Sequence, residues 1–83
     1  MVDSELDLHR HTLDEALLKL DQYLYDAFLA GMTTVCINHG KGSGVLRREI
    51  QRALKKSTLV KSFRAGDNWE GGPGVTMVEL MER

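Results

Sequence analysis

The sequence has one cysteine, one proline and no long apolar run among its 83 residues. The single thiol, Cys36, excludes an internal disulfide framework and a zinc site built on paired cysteines, and a reducing, cytoplasmic setting is expected. Without about twenty consecutive apolar residues the chain predicts no membrane span, and its first residues do not resemble a signal peptide. A chain this short buries only about 60% of its unfolded surface, so we expect one small domain without an enclosed cofactor cavity.

The overall net charge is also small, −1, but the charges are unevenly distributed. Residues 39–64 contain eight of the eleven Lys and Arg residues and one acid, Glu49, which gives this segment a net charge of +7. The remaining residues contain three bases and eleven acids. A basic segment beside a glycine-rich loop suits a polyanion, although a solvated helix face has a similar composition. The charge pattern alone leaves both interpretations open.

The first half of the chain predicts a strand followed by a long helix. Polar and apolar residues alternate over residues 5–9, which is typical of a half-buried strand. Thr12 and Glu15 have the spacing of a capping box, and an apolar stripe at helical spacing runs from there to Phe28. Gly31 is well placed to end this helix in a left-handed conformation.

The second half predicts one more helix and three more strands. The helix is expected over residues 45–56, and the strands over residues 33–38, 59–64 and 75–80. The order βαβαββ indicates an α/β fold: a two-layer sandwich with two helices on one face of a four-stranded sheet, whose first two strands are parallel. The domain is expected to span residues 5–81, between a polar lead (1–4) and a two-residue tail (82–83).

The segment Asp7-Leu8-His9 is the first candidate for chemistry. On a strand, Asp7 and His9 share the face opposite the neighbouring leucines. If the helices cover the leucine face, the carboxylate and the imidazole project together from the open face. The carboxylate can then fix the imidazole tautomer for general acid–base work. The alternative, which the pattern alone favours, is the polar half of an ordinary amphipathic strand.

The loop His39–Gly44, with the sequence His-Gly-Lys-Gly-Ser-Gly, is the second candidate. Its glycines let backbone amides converge on an anion, the following helix start adds its positive dipole end, and Lys41 adds a cation. The loop opens onto Arg47, Arg48 and Arg52, so phosphate binding is favoured over a merely flexible connection. The spacing fits neither a Walker A loop nor a dinucleotide-binding fingerprint.

Other conspicuous residues are less informative. His11 is expected to be a solvated turn residue and Cys36 a small buried hydrophobe. Trp69 is equally compatible with stacking on a nucleobase and with capping the core. The acids of the first helix are expected to form its solvent face rather than a metal site: Asp14, Glu15, Asp21 and Asp26.

Taken together and in order, four segments resemble the small MutS-related (Smr) domain family from about Leu6 to Leu80. They are Leu6–His9, Glu15-Ala16, His39–Gly44 and Gly74–Leu80. Within the family the chain most resembles the version at the C-terminus of type-two MutS proteins, which shares the Lys-Ser-Phe-Arg and Gly-Gly-x-Gly-Val-Thr segments. These segments lie at Lys61–Arg64 and Gly71–Thr76.

The resemblance implies a four-stranded mixed sheet with two helices, similar to the C-terminal domain of translation initiation factor three. It also implies an endonuclease that nicks DNA or cleaves RNA, including mRNA at stalled ribosomes. The family's Asp-x-His and His-Gly-x-Gly motifs fall on Asp7, His9, His39, Gly40 and Gly42. The family usually has glycine directly after Asp-Leu-His, where this sequence has Arg10, so a guanidinium lies beside the expected site.

On this basis we expect a phosphodiesterase in which Asp7 orients His9 while His9 and His39 share the base and acid roles. Lys41 and the loop amides would stabilise charge on the reacting phosphate. Contacts to nucleic acid are expected from a wider set: Arg10, Gly40, Gly42, Ser43, Gly44, Arg47, Arg48 and Arg52. No tightly bound cofactor or metal is expected, because Asp7 is the only carboxylate clearly in the site, and dependence on a divalent ion is left open.

Two other functions remain in competition with cleavage. A non-catalytic module could bind nucleic acid or the ribosome through the same basic surface. A protein–protein module would explain the fold but not the basic segment. The domain itself is expected to be a monomer taken from a larger MutS-like protein, whose own dimerisation is left open.

Overall fold

The computed structural model describes residues 2–83 and contains two helices and four strands in the expected order. The elements are β1 (Glu5–Asp7), α1 (Leu13–Leu29), β2 (Thr34–Asn38), α2 (Val45–Lys56), β3 (Val60–Ala65) and β4 (Val75–Leu80). Two short 3₁₀ turns, Asn68–Glu70 and Gly72–Gly74, lie between β3 and β4. Over residues 2–83, neither helix is long and apolar enough to cross a membrane.

The four strands form one mixed sheet in the order β1-β2-β4-β3. β1 and β2 are parallel, as expected for strands joined by a helix, whereas β4 is antiparallel to both β2 and β3. β2 and β4 are therefore the central strands and β1 is an edge strand. This topology confirms the α/β fold class predicted from the sequence.

The helix boundaries follow from local capping. The Thr12 hydroxyl accepts from the Glu15 backbone N–H at 3.3 Å, and the Glu15 carboxylate accepts from the Thr12 N–H at 3.0 Å. Gly31, just past the end of α1, has φ +77°, as predicted for a left-handed stop. The bounds of α2 and β4 also match the prediction.

The predicted end of β1 was wrong, because the strand stops at Asp7 rather than His9. Leu8 still donates its N–H to Asn38 at 2.7 Å, but its carbonyl accepts from the His11 N–H at 3.1 Å. That second bond closes a turn which directs the chain toward α1 and leaves Leu8 fully buried. β3 is displaced by one residue from its predicted position.

The core lies between the helices and one face of the sheet. Its buried residues come from both helices and from the central strands: Ala16, Leu20, Leu24, Ala27, Val35, Ile37, Ile50, Leu54, Val78 and Leu80. The opposite face is open, because alternate residues of β2 are only half-buried or exposed. Cys36 was expected to be buried, but it is only half-buried and lies on this open face, outside the core. Burial there raises the pKa of its thiol.

Candidate functional site

Asp7 and His9 form a hydrogen-bonded pair where β1 ends. The His9 ring Nδ1 and the His9 backbone N–H, the latter at 3.1 Å, both contact the same Asp7 carboxylate oxygen. These bonds, the one from the ring being the larger cause, hold the pKa of Asp7 below its usual value. A carboxylate can only accept, so the bond places a proton on Nδ1 of His9. The two side chains meet as predicted, although the turn after Asp7 brings them together and not a longer strand.

Arg10 occupies the other nitrogen of the same ring. Its Nε donates to Nε2 of His9 at 3.1 Å. Because Arg10 can only donate, Nε2 must be the acceptor, and His9 is neutral in this arrangement. The guanidinium therefore covers the lone pair that a general base would use.

The two sequence motifs meet through close contact between Gly40 and His9. The parallel register pairs Asp7 with Asn38, so β1 and β2 end at the same edge of the sheet. A Cβ atom at position 40 would lie 3.0 Å from Cβ of His9, and Gly40 has φ +77°. Both the crowding and the backbone conformation require glycine at this position.

Most of the predicted site residues surround one cleft of about 400 Å³. It is lined by His9, His11, Leu13, His39, residues 40–44, Val45, Leu46 and Arg47. Asp7 and Arg10 reach it through their contacts with His9. Arg48 and Arg52 do not line the cleft; they lie on the exposed face of α2, 3.8 and 3.6 Å from the Glu49 carboxylate. The basic residues of the sequence therefore divide between the cleft and the outer face of α2.

His39 lies in the interior, with only 4% of its surface exposed. Its Nδ1 is 3.1 Å from the Gly40 carbonyl, which must accept, and its Nε2 is 2.9 Å from the Thr76 hydroxyl. The Thr76 oxygen also accepts from the Gln51 side-chain amide at 3.3 Å. The bonds thus run from Gln51 to Thr76 to His39 to the loop backbone. Burial, together with nearby Arg47, lowers the pKa of His39 despite the opposing bond to Gly40.

The segment before β4 supports the loop from the other side. The Gly74 carbonyl accepts from the backbone N–H groups of both His39 and Gly40, at 3.1 and 3.0 Å. A Cβ at position 74 would lie 3.1 Å from Cγ of Lys41, so the two loops are in close contact. Pro73 lines a second cleft of about 160 Å³ together with residues 40–44 and Arg47.

The start of α2 suits an anion. Gly44 is its N-cap, has φ +86° and provides no side-chain cap; the Ser43 hydroxyl lies 3.4 Å from the Val45 N–H. Uncapped first-turn amides carry the positive end of the helix dipole. Lys41 and Arg47 add positive charge beside them. The loop, the start of α2, Lys41 and Arg47 therefore converge at one place, whereas the predicted contributions of Arg48 and Arg52 lie outside it.

Several residues of this site were not predicted from the sequence. His11, expected to be a solvated turn residue, lines the cleft and has a buried Nδ1 without a hydrogen-bond partner among residues 2–83. Its position two residues after His9 could have indicated from the sequence that His11 lies near the cleft. Thr76 lies in the Gly-Gly-x-Gly-Val-Thr segment of the family resemblance, but no role at the site was predicted for it or for Gln51, because their bonds arise only in the folded chain. Over residues 2–83, no group of three or more His, Cys, Asp or Glu side chains is arranged to hold a metal ion.

Comparison with known proteins gives the same family for almost the whole chain. The family profile described as "Smr domain" matches residues 6–81. Endonuclease MutS2 of Caldanaerobacter subterraneus subsp. tengcongensis is 51% identical over 82 residues, which is 99% of this chain. Endonuclease MutS2 of Geobacillus kaustophilus is 53% identical over 79 residues, 95% of this chain. In both cases the chain spans only 10% of the relative's length.

Solved structures agree with this assignment. The Smr domain of Thermus thermophilus MutS2 superposes with a TM-score of 0.92 at 44% identity, covering 95% of this chain and 99% of that one. YdaL, a stand-alone small MutS-related protein from Escherichia coli, has a TM-score of 0.91 at 25% identity and covers 95% of this chain and 65% of its own. The chain belongs to the Smr domain family.

Proposed function

We propose that this domain is a nucleic-acid endonuclease module. The observation that carries the proposal is the contact of the Asp7–His9 pair with Gly40, which puts an oriented imidazole beside an anion-binding loop. The relatives named endonuclease MutS2 support the same activity. The chain spans only a tenth of the length of those relatives. We therefore also propose, rather than observe, that a larger parent protein directs the domain to its substrate.

His9 would act as the general base through Nε2. Asp7 holds the proton on Nδ1 and so points the lone pair of Nε2 outward. Arg10 must first leave that lone pair, and a phosphate group entering the cleft offers the guanidinium a stronger, charge-assisted partner. Substrate binding would then expose the base. Arg10 in place of the usual family glycine is compatible with activity on this view.

Lys41 and the amides of the loop would stabilise the charge that develops on the phosphate. The resemblance also implies a proton-transfer role for His39. That role stays a prediction, because both ring nitrogens are engaged and using Nε2 requires the Thr76 hydroxyl to turn away. The geometry supports more directly a role in which His39 positions the Gly40 carbonyl and the loop that follows.

The nucleophile determines the substrate chemistry. With RNA, His9 would take the proton of the neighbouring 2′-OH and the 2′-oxygen would attack the phosphorus. The bond from phosphorus to the 5′-oxygen would then break, and that oxygen would take up a proton from the imidazolium or from water. DNA lacks this group and requires an activated water, often with a divalent ion. The proposed substrates include both DNA and RNA, and the RNA can be free or bound to the ribosome. The domain would act as a monomer in the cytoplasm.

Matched DNA and RNA strands, labelled at one end and incubated with the 83-residue chain with and without EDTA, test the proposal. RNA products ending in 2′,3′-cyclic phosphate that form in EDTA would establish attack by the 2′-OH. Products with 5′-phosphates that form only with added metal would establish hydrolysis by water. If neither strand is cut under any condition, catalysis by this domain is contradicted.

A binding module without catalysis is the second candidate, and the Arg10 contact that covers the base favours it. In either case the cleft end of α2 should contact phosphate. Replacing Lys41 and Arg47, which line the cleft, with Ala should reduce the salt dependence of RNA binding by up to about 1.4 in log–log slope, at roughly 0.7 per phosphate contact. In the matched control, Lys55 and Lys56 are replaced with Ala, which removes the same amount of charge from the last turn of α2. An equal effect of both double variants would contradict binding at the cleft.

A further inference from the structure

Trp69 is the only tryptophan of the chain, and 82% of its surface is exposed. Large aromatic side chains normally gain stability by burial, as Phe63 and Tyr23 do here by packing against the core. The structure therefore answers the question that the sequence left open, because Trp69 does not cap the core. Packing in the core therefore does not explain why a tryptophan occupies this position.

The turn that carries Trp69 is ordered by several hydrogen bonds. Arg64 donates from both terminal nitrogens to the two oxygens of Glu70, at 2.8 and 2.9 Å. Asp67 and Glu70 cap each other across the turn, and the Gly72 N–H donates to the Asp67 carbonyl at 2.9 Å. The Arg64 guanidinium lowers the pKa of Glu70 to about 2, so this pair stays ionised at neutral pH. A ligand that stacks on the indole does not have to order the turn first.

The same segment is joined to the phosphate-binding cleft. Gly74 bonds to the backbone of His39 and Gly40, and Pro73 lines the smaller cleft beside Arg47. Trp69 is four residues from Pro73, so their Cα atoms are at most about 14 Å apart. A strand held by its phosphates in the cleft needs only a few nucleotides to reach the indole.

Charge decides which part of a strand the indole can meet. Asp67 and Glu70 outnumber Arg64 around Trp69, whereas Lys41 and Arg47 line the clefts. Phosphates are therefore favoured at the clefts and disfavoured at the turn. A nucleobase is uncharged and has an aromatic face, and stacking on such a face tolerates any base.

We propose that Trp69 is a nucleobase-stacking residue, which takes an unpaired base of a strand whose phosphates lie in the cleft. The proposal rests on the proposed function and narrows its substrate to strands with bases outside a duplex. It also assigns a binding role to the loop between β3 and β4, outside the two motifs that first marked the site.

Fluorescence excited at the long-wavelength edge of indole absorption, where the two tyrosines of the chain do not absorb, reports on this residue alone. Short single-stranded RNA should quench the emission of Trp69 saturably, whereas an abasic strand of equal length should bind without quenching. Trp69→Ala should weaken binding to the RNA about 5- to 150-fold, the range expected for one stacked base. Trp69→Phe should restore most of the affinity. Binding by Trp69→Ala and Trp69→Phe, which lack the fluorophore, is measured with a labelled strand.

Leu18→Ala is the matched control, because it removes another exposed apolar side chain (61%) from the acidic helix α1. It should leave both affinity and quenching unchanged. The stacking proposal would be overturned if the wild-type chain bound RNA without quenching, or if Trp69→Ala bound RNA as tightly as the wild type. Either result would leave the endonuclease proposal standing. Equal quenching by a fully paired duplex would also overturn the stacking proposal. If the wild-type chain binds and cuts no strand, both proposals fail.

Discussion

His9 and His39 follow parallel strands and lie at the same edge of the sheet, yet their surroundings differ. Each donates from Nδ1, His9 to the exposed Asp7 carboxylate and His39 to the Gly40 carbonyl. The acceptor nitrogen of His9 meets the exposed Arg10 side chain, whereas that of His39 meets the buried Thr76 hydroxyl. His9 can exchange its partner for a ligand without disturbing the core, but His39 cannot. Under the proposed function, the same residue type in the same tautomer would serve catalysis at His9 and hold the loop in place at His39.

His9→Ala should have the largest effect of the substitutions that test this difference between the two histidines. Loss of a general base should lower the single-turnover cleavage rate about 10²–10⁴-fold. The unfolding temperature should hardly change, because the His9 side chain is 39% exposed and lies outside the core. Cleavage at the wild-type rate would show that His9 is not the base. A large loss of stability in the same variant would show that His9, like His39, is part of the architecture.

Thr76→Val tests the architectural side. Valine keeps the shape of threonine but deprives Nε2 of His39 and the Gln51 amide of their partner. Chemical denaturation should show a free energy of unfolding lower by about 1–3 kcal/mol, the usual effect of leaving buried polar groups unsatisfied. Thr34→Val, at an exposed position on β2, is the control and should be nearly neutral. Equal stability of Thr76→Val and wild type would mean that the bonds around His39 contribute little.

A smaller effect is expected from pH. Burial lowers the pKa of His39 below its ordinary 6.5, so the unfolded chain takes up a proton that the folded domain does not. The free energy of unfolding should be highest above pH 6.5 and should fall as the pH drops toward 5. This window lies above the titration of Asp7 and Glu70, whose pKa values are lowered. Urea unfolding of wild type and His39→Gln should show a weaker decline in the variant, and parallel curves would contradict a shifted pKa in His39.

Local signals made most of the fold predictable. The Thr12–Glu15 capping box and the conformation of Gly31 act within a few residues, so α1 could be placed from the sequence. The early end of β1 could not be placed, because burial of Leu8 in the core and the turn after it depend on tertiary packing.

The candidate site divides in the same way. The meeting of Asp7 and His9 was predicted from their spacing on a strand but is produced by the turn after Asp7, and their approach to Gly40 follows from parallel pairing of β1 and β2. The partnership of His39 with Thr76 spans 37 positions and leaves no local pattern. The exposure of Trp69 is set by the turn that carries it, whose Arg64–Glu70 ion pair forms only in the folded chain and leaves no local pattern.

The position of β1 at the edge of the sheet gives the two histidines different local stabilities. β1 has three residues and pairs only with β2, whereas β2 is flanked by β1 and β4. An edge strand held by one ladder opens at a lower free energy than a central one. As the domain approaches its unfolding temperature, Asp7 and His9 would detach while the loop at the end of β2 still holds a phosphate. Under the proposed function, a warmed domain would then still bind strands that it no longer cuts.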